Sequence, residues 1–190
     1  MTARRALAAL VDEGRVERSV GRGTFVSAPR IKMPIRLSSF TDDMRARGFS
    51  PGSHTLSFVT GAPEPDAAVV LDLEADELTH VIRRLRTADG VPMAIENVTI
   101  AANLDPELSA AELEDKSLYA LLAERHGIVF DGGEQIVRAR NATAEEARLL
   151  QVSQHAAVLH LIRTSTWRGR TVEYTVSSYR GDRYELSASI

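Results

Sequence analysis

The stretch Thr79-His80-Val81-Ile82-Arg83-Arg84-Leu85-Arg86-Thr87-Ala88-Asp89-Gly90-Val91-Pro92-Met93-Ala94-Ile95-Glu96-Asn97-Val98-Thr99-Ile100-Ala101 reads as two strands, Thr79 to Thr87 and Met93 to Ala101, joined through Asp89-Gly90. Successive strand residues point to opposite faces, so Arg84 and Arg86 leave the same face while Arg83 points the other way, to water. Two like charges side by side are costly unless an anion sits between them, and phosphate is the partner that guanidinium forks match best. The pair therefore predicts an anionic ligand. The face taken by Glu96 depends on the turn. With a plain two-residue turn it falls opposite Arg83, on the wrong face; a three-residue loop with a glycine bulge turns it toward Arg84 and Arg86, and the bulge is the reading adopted.

Outward from this hairpin the pattern alternates between strands and short helices. Ser53 to Thr60 reads as a strand and Asp66 to Leu73 as a helix after Pro63 and Pro65. Ser117 to His126 is a helix started by a serine cap, and Glu134 to Arg140 is a strand. Thr143 to Leu150 is a helix opened by a capping box of Thr143 and Glu146. Val158 to Trp167 and Thr171 to Tyr179 close the pattern as a hairpin around Arg168-Gly169-Arg170. About six strands with several short helices predict an α+β domain built on an antiparallel sheet. Glu173 and Tyr179 share a strand face, where they and Glu96 are expected to meet the remainder of the ligand; carboxylates suit sugar hydroxyls or an amide N–H. Ser117 heads a helix whose free N–H groups and dipole favour a negative group, and Tyr119 adds a hydroxyl in the same turn.

The start of the chain has a different character. Ala3 to Gly14 is a short amphipathic helix, and Arg15 to Val26 is a basic hairpin turning at Val20-Gly21-Arg22-Gly23, together read as the last helix and wing of a winged helix-turn-helix. Pro29 to Pro34 reads as a proline-bounded linker. The first 36 residues carry eight Lys and Arg against three Asp and Glu, a balance of +5, and the rest carry fifteen against twenty-three, −8. A basic end on an acidic body suits a phosphate-backbone partner at one end only. Arg4 is the candidate base reader, with Arg5 and Thr2 beside it, because arginine binds guanine O6 and N7 together. There are no cysteines, no apolar run able to span a bilayer and no signal peptide, so a cytoplasmic location without a membrane partner is expected.

These residues resemble the GntR superfamily of bacterial transcription regulators, HutC-type branch. The likeness rests at the start on Thr2, Arg4, Ala6, Leu7 and on Gly21, Gly23, Thr24, Phe25, Val26. Further on it rests on Ser39-Phe40-Thr41-Asp42-Asp43-Met44, Arg84 to Gly90, Pro92 to Glu96, Ser117-Leu118-Tyr119, Val172-Glu173-Tyr174 and Tyr179 to Tyr184, which are similar to the UTRA effector-binding domain. The resemblance implies three parts: residues 1–28 a partial winged helix-turn-helix, 29–36 a linker, and 37–190 a UTRA domain with a chorismate lyase-like antiparallel sheet and flanking helices. It implies that Arg84, Arg86, Ser117 and Tyr119, with Thr41, hold an effector's phosphate, and that Gly21, Arg22 and Gly23 at the wing tip meet DNA. It further implies two helices ahead of Thr2, which makes the DNA head expected here incomplete. The function expected is that of a ligand-responsive regulator, a repressor in the first instance, bound as a homodimer to an operator and controlled allosterically by a small anionic, phosphorylated sugar-type metabolite. No cofactor and no metal are expected.

Three other readings stand beside this one. Arg84 and Arg86 neutralised by Glu96 and Glu173 would form a closed salt-bridge network with no ligand. A UTRA-like fold is similar to chorismate lyase, so an arginine-lined pocket with a carboxylate could belong to an enzyme. The chain could also be a ligand-binding module without DNA activity. His54, His80, His126, His155 and His160 are scattered without metal-ligand spacing and read as surface or partly buried polar residues, and Trp167 reads as a hairpin packing residue.

Overall fold

The computed structural model describes residues 3–12, 16–19, 23–26 and 30–188. In chain order these form α1 (Ala3–Asp12), β1 (Val16–Ser19), β2 (Gly23–Val26), β3 (Ile31–Pro34), α2 (Phe40–Arg45), β4 (Pro51–Gly61), α3 (Pro65–Leu71), β5 (Thr79–Ala88) and β6 (Val91–Ala101). A 3-10 turn (Ala102–Leu104) leads to α4 (Ala110–Leu113), α5 (Leu118–His126), β7 (Gly132–Asn141), α6 (Ala144–Leu150), β8 (Ala157–Trp167), β9 (Arg170–Arg180) and β10 (Tyr184–Ser187). Six strands form one antiparallel sheet in the order β4-β5-β6-β9-β8-β7. The expected α+β class and strand set are present, and β1 pairs with β2 as an antiparallel hairpin.

The stretch expected to be a linker is instead a strand from Ile31 to Pro34. It pairs in parallel with β10, Ile31 opposite Tyr184 and Met33 opposite Leu186. The cause is alternation: Ile31 and Met33 are buried while Lys32 is exposed, and they join Phe40, Met44, Ala88, Met93 and Tyr184 in an apolar cluster beneath α2. A second cluster joins Ile82, Val98 and Ile100 of the sheet to Leu113, Leu118, Leu121 and Leu122 of α4 and α5. Both clusters lie on the face that carries Arg84 and Arg86. On the opposite face, α6 packs Ala147 and Leu150 against Ile95 and Val158. Arg83, expected to point to water, does leave by that opposite face, but it donates to Glu145 of α6 at 2.8 Å.

The hairpin corrects the expected origin of the bulge and keeps its consequence. Asp89 and Gly90 both have positive φ, 49° and 77°, and Ala88 faces Val91, so the turn is the plain two-residue kind. The extra residue comes two positions later: Thr87 pairs with Pro92 and Arg86 with Ala94, leaving Met93 unopposed. This bulge brings Glu96 opposite Arg84.

α6 is fixed at its start by the expected capping box, Thr143 Oγ1 accepting from Glu146 N at 3.2 Å and Thr143 N donating to Glu146 Oε2 at 2.9 Å. Arg140 donates to both Glu146 oxygens at 2.7 and 2.6 Å, and Ser178 Oγ donates at 2.6 Å. The hydrogen bonds from Arg140 overcome the upward push of burial, and with Ser178 and the cap they hold the Glu146 carboxyl down at about 2. A carboxylate depressed in the folded state contributes stability that is complete above its unfolded value and is lost as pH falls through the folded one. Glu146→Gln is expected to lower stability by about 1–2 kcal/mol at neutral pH. In urea denaturation curves the gap from wild type should close between roughly pH 5 and pH 2.

Candidate functional site

On the front face of the sheet the side chains change from apolar at Ile82 and Val98 to charged at Arg84, Arg86 and Glu96, then to apolar again at Ala88 and Met93. The charged patch therefore fills the gap between the two apolar clusters, under the N-terminal ends of α2 and α5. Arg84 is 4% exposed, Arg86 2%, Glu96 5% and Glu173 1%. Arg84 Nη2 donates to Glu96 Oε2 at 3.1 Å, and Arg86 Nη1 lies 3.6 Å from the same oxygen. Arg86 also donates to Thr41 Oγ1 at 2.9 Å and stacks over the Phe40 ring at 4.7 Å. Tyr179 donates to Glu96 Oε1 at 3.5 Å. Burial alone would raise Glu96, but Arg86 and Arg84 outweigh it and hold the carboxyl below the usual carboxylate range. Burial, reinforced by Arg86, brings the Arg84 guanidinium down to about 10, which still leaves it charged at neutral pH.

Glu173 serves a different set of donors. Ser165 Oγ and Tyr119 Oη donate to its Oε2 at 2.5 and 2.8 Å, and Arg163 Nε lies 3.8 Å away. Burial and the neighbouring Glu173 push the Tyr119 hydroxyl well above its ordinary value, so it stays a donor. Arg163 was not expected in the site. Its guanidinium sits 5.6 Å over the Tyr119 ring and reaches the Ser38 carbonyl at 3.5 Å. Desolvation opposes its charge, but Glu173 and Tyr119 more than offset this and raise it. The signal lay in register: Ser165 pairs with Glu173 and Arg163 with Thr175, so Arg163 shares the Glu173 face once the β8–β9 hairpin is aligned.

Arg84, Arg86, Glu96, Ser117, Tyr119 and Glu173 line one cavity together with Ser39, Phe40, Arg163 and Thr175. Its centre holds about 10 Å³, room for roughly one water-sized group. Thr41 contacts this cavity through Arg86, and Tyr179, on the expected face, lines an adjacent one while reaching Glu96. Ser117 caps α5 as expected, accepting from Ala120 N at 3.3 Å. Five buried side-chain polar atoms among the described residues lack a hydrogen-bond partner, and four of them belong to this lining: Arg84 Nε, Arg86 Nε, Arg163 Nε and Thr175 Oγ1. Three guanidiniums face two carboxylates, so the closed network that would neutralise every charge is not formed.

Of the residues expected at a DNA interface, Arg4 and Arg5 stand exposed on α1, and Gly23 opens β2 with φ 105°. Thr2, Gly21 and Arg22 lie outside the described residues. His80, expected at most partly buried, is 2% exposed; its ring nitrogens meet Thr60 Oγ1 at 2.8 Å and the Asp105 carbonyl at 3.0 Å, a structural role. Among the described residues no group of three or more potential metal ligands is present, and no helix is long and apolar enough to cross a membrane.

Residues 46–185 match the model of the UTRA domain. The HTH-type transcriptional repressor NagR of Bacillus subtilis is 37% identical over 186 residues, 97% of this chain and 76% of that protein. The histidine utilization repressor of Pseudomonas putida is 30% identical, covering 90% of this chain and 68% of the relative. The crystal structure of PhnF from Mycobacterium smegmatis superposes with a TM-score of 0.80 at 31% identity, over 98% of this chain and 83% of that one.

Glu96 is the carboxylate that compensates two buried arginines, and removing one partner of such a set leaves an uncompensated charge. Glu96→Gln is expected to lower stability by about 3 kcal/mol in chloride buffer. Phosphate at tens of millimolar should restore part of that loss in a thermal melt of the variant, and a full loss unaffected by phosphate would mean that the arginines cannot accept an external anion.

Proposed function

Because this chain belongs to the HutC branch of the GntR regulators and carries their UTRA domain, we propose that it is a transcriptional repressor whose operator binding is set by a small anionic metabolite held at Arg84, Arg86 and Arg163. The matched relatives are transcriptional regulators, not enzymes, which sets aside the lyase-like alternative. Repression is the reading that the relatives' names support. The observation that carries the anionic ligand is the set of unpaired guanidinium N–H groups around one small buried space, with a net positive charge. An unmet buried donor costs about 1–3 kcal/mol, more when charged, and an anionic oxygen is the group that would satisfy several at once. A phosphorylated sugar suits the forks of Arg84 and Arg86, with Ser117 at the head of α5 nearby.

In this reading residues 1–28 are the last helix and wing of the DNA head, 29–36 join it to the effector domain, and 37–190 are the sensor. The segment 29–36 works as a connection that is part strand. Arg4, with Arg5 and Thr2, reads the major groove, and Gly21, Arg22 and Gly23 meet the backbone or the minor groove. The working form is a cytoplasmic homodimer on a pseudo-palindromic operator. The remaining alternative is a ligand-binding module without DNA activity of its own, and operator affinity decides between them.

Two measurements test the proposal. Titration calorimetry with a panel of sugar phosphates and their unphosphorylated counterparts should give binding only for the phosphorylated forms. Arg86→Ala should weaken it at least tenfold, whereas Arg83→Ala, on the other face of the same strand, should leave it unchanged. A panel in which no anion binds would overturn the effector site. For the DNA head, Arg4→Ala should lower operator affinity and relax sequence preference in gel shifts, by about 1–3 kcal/mol if it contacts a base pair through two hydrogen bonds.

A further inference from the structure

The charged space is too small for a whole metabolite, and the room beside it has a different chemistry. A cavity of about 290 Å³ shares the walls Ser39 and Tyr119 with the arginine site. Its remaining lining is mostly apolar, with Leu37 before α2, Ala120 and Ala123 on α5, and Ile128, Val129 and Phe130 after it, beside the polar Ser38 and Asp42. The sequence builds this room in two ways. On α5 the large residues Leu118, Leu121 and Leu122 turn into the core, leaving the small Ala120 and Ala123 one helical turn apart on the cavity side. Gly127 then takes the left-handed conformation (φ 63°) that ends the helix, and Ile128 N returns to the Leu122 carbonyl at 3.2 Å, folding Ile128 to Phe130 back beneath it.

Most polar side chains of this cavity are already engaged within the protein, while the exposed Asp42 carboxylate, also in the lining, accepts from Ser39 through Oδ2. Ser39 Oγ donates to Asp42 at 2.6 Å, Ser38 Oγ to Asp43 at 2.6 Å, and Tyr119 Oη to Glu173 at 2.8 Å. Sugar hydroxyls entering here would find few free partners, and a polar group left unpaired against Leu37, Ile128 and Phe130 is penalised. Val129, another lining residue, is an apolar side chain that is 65% exposed. Glu96 and Glu173, expected to meet hydroxyls, are occupied by arginines, tyrosines and Ser165.

We infer that the effector is amphiphilic, with an anionic head between Arg84, Arg86 and Arg163 and an apolar acyl, alkyl or aryl substituent in the cavity of Ala120, Ala123, Ile128 and Phe130. The inference rests on the anionic-effector reading above and adds the chemical class of the ligand's other end. A bare polyhydroxylated sugar phosphate would leave this cavity unfilled.

The test is a homologous series of alkyl phosphates, methyl through pentyl, titrated into the full chain below any aggregation threshold. Each methylene moved from water into an apolar site is worth about a three- to fourfold gain in affinity. The dissociation constant should fall by that factor per carbon. Ala123→Leu and Ala120→Leu, which fill the cavity from the side away from the arginines, should flatten the dependence on chain length; a thermal melt of each variant checks that it folds. A flat series in the wild-type chain, with methyl phosphate bound, overturns the apolar pocket and leaves the anion site standing. A sloped series that neither substitution changes also overturns it, because the chain would then lie elsewhere. If no alkyl phosphate binds while a sugar phosphate does, the apolar pocket is overturned and the anion site stands; only if neither binds do both readings fall.

Discussion

One carboxylate between two guanidiniums governs the front of this sheet. Glu96 is the direct ionic partner of both Arg84 and Arg86, all three nearly shut off from solvent. Removing such ions from water costs several kcal/mol each, and the attraction repays it only with good geometry and satisfied hydrogen bonds. Glu96 reaches them only because Met93 is unopposed in the β5–β6 ladder. In an unbulged pairing the carboxylate would stand on the α6 face, beside the Arg83–Glu145 pair, and two buried arginines would be left without it. A single extra residue thus decides whether the domain has a site at all.

Much of the fold was legible because it is written locally. The Asp-Gly turn, the serine and threonine caps and the period-two runs each place an element within a few residues of its own signal. What stayed hidden needed partners distant in sequence. The parallel pairing of Ile31–Pro34 with Tyr184–Ser187 joins segments about 150 residues apart, and a short apolar run beside prolines gives no hint of which strand will receive it. Arg83 looked solvated because nothing in its own strand announces α6 overhead. Glycine is the local cue for a bulge and points to the turn, whereas the bulge occurs at Pro92-Met93, where proline offers no N–H for the ladder.

The site residues divide the same way. Arg84, Arg86, Glu96, Ser117, Tyr119 and Glu173 could be brought to one cavity by strand alternation and a helix cap joined to a family pattern. Arg163 required the register of a second hairpin and then the neighbourhood of Tyr119 on another element. It changes the electrostatics, since without it two arginines would balance two carboxylates and the site would be neutral. Burial favours balanced charge, so in the proposed reading the third guanidinium is the residue that draws an anion to the cavity.

The same residues bind the site to the part of the chain that precedes it. Arg86 holds Thr41 on α2, and two residues on Asp43 takes Ser38 and Arg36, at 2.6 and 3.2 Å. β3 lies directly before Arg36 and is fixed to β10 at the other end of the chain. In the proposed reading, an anion that competes with Thr41 for Arg86, or with the Ser38 carbonyl for Arg163, acts on α2, which borders both the site and β3. Such a ligand shifts the domain between arrangements only by the difference in its affinity for each. In that reading the N–H groups of Arg84, Arg86 and Arg163 that have no partner within the protein supply the difference, because an arrangement in which an anion accepts from them gains those hydrogen bonds.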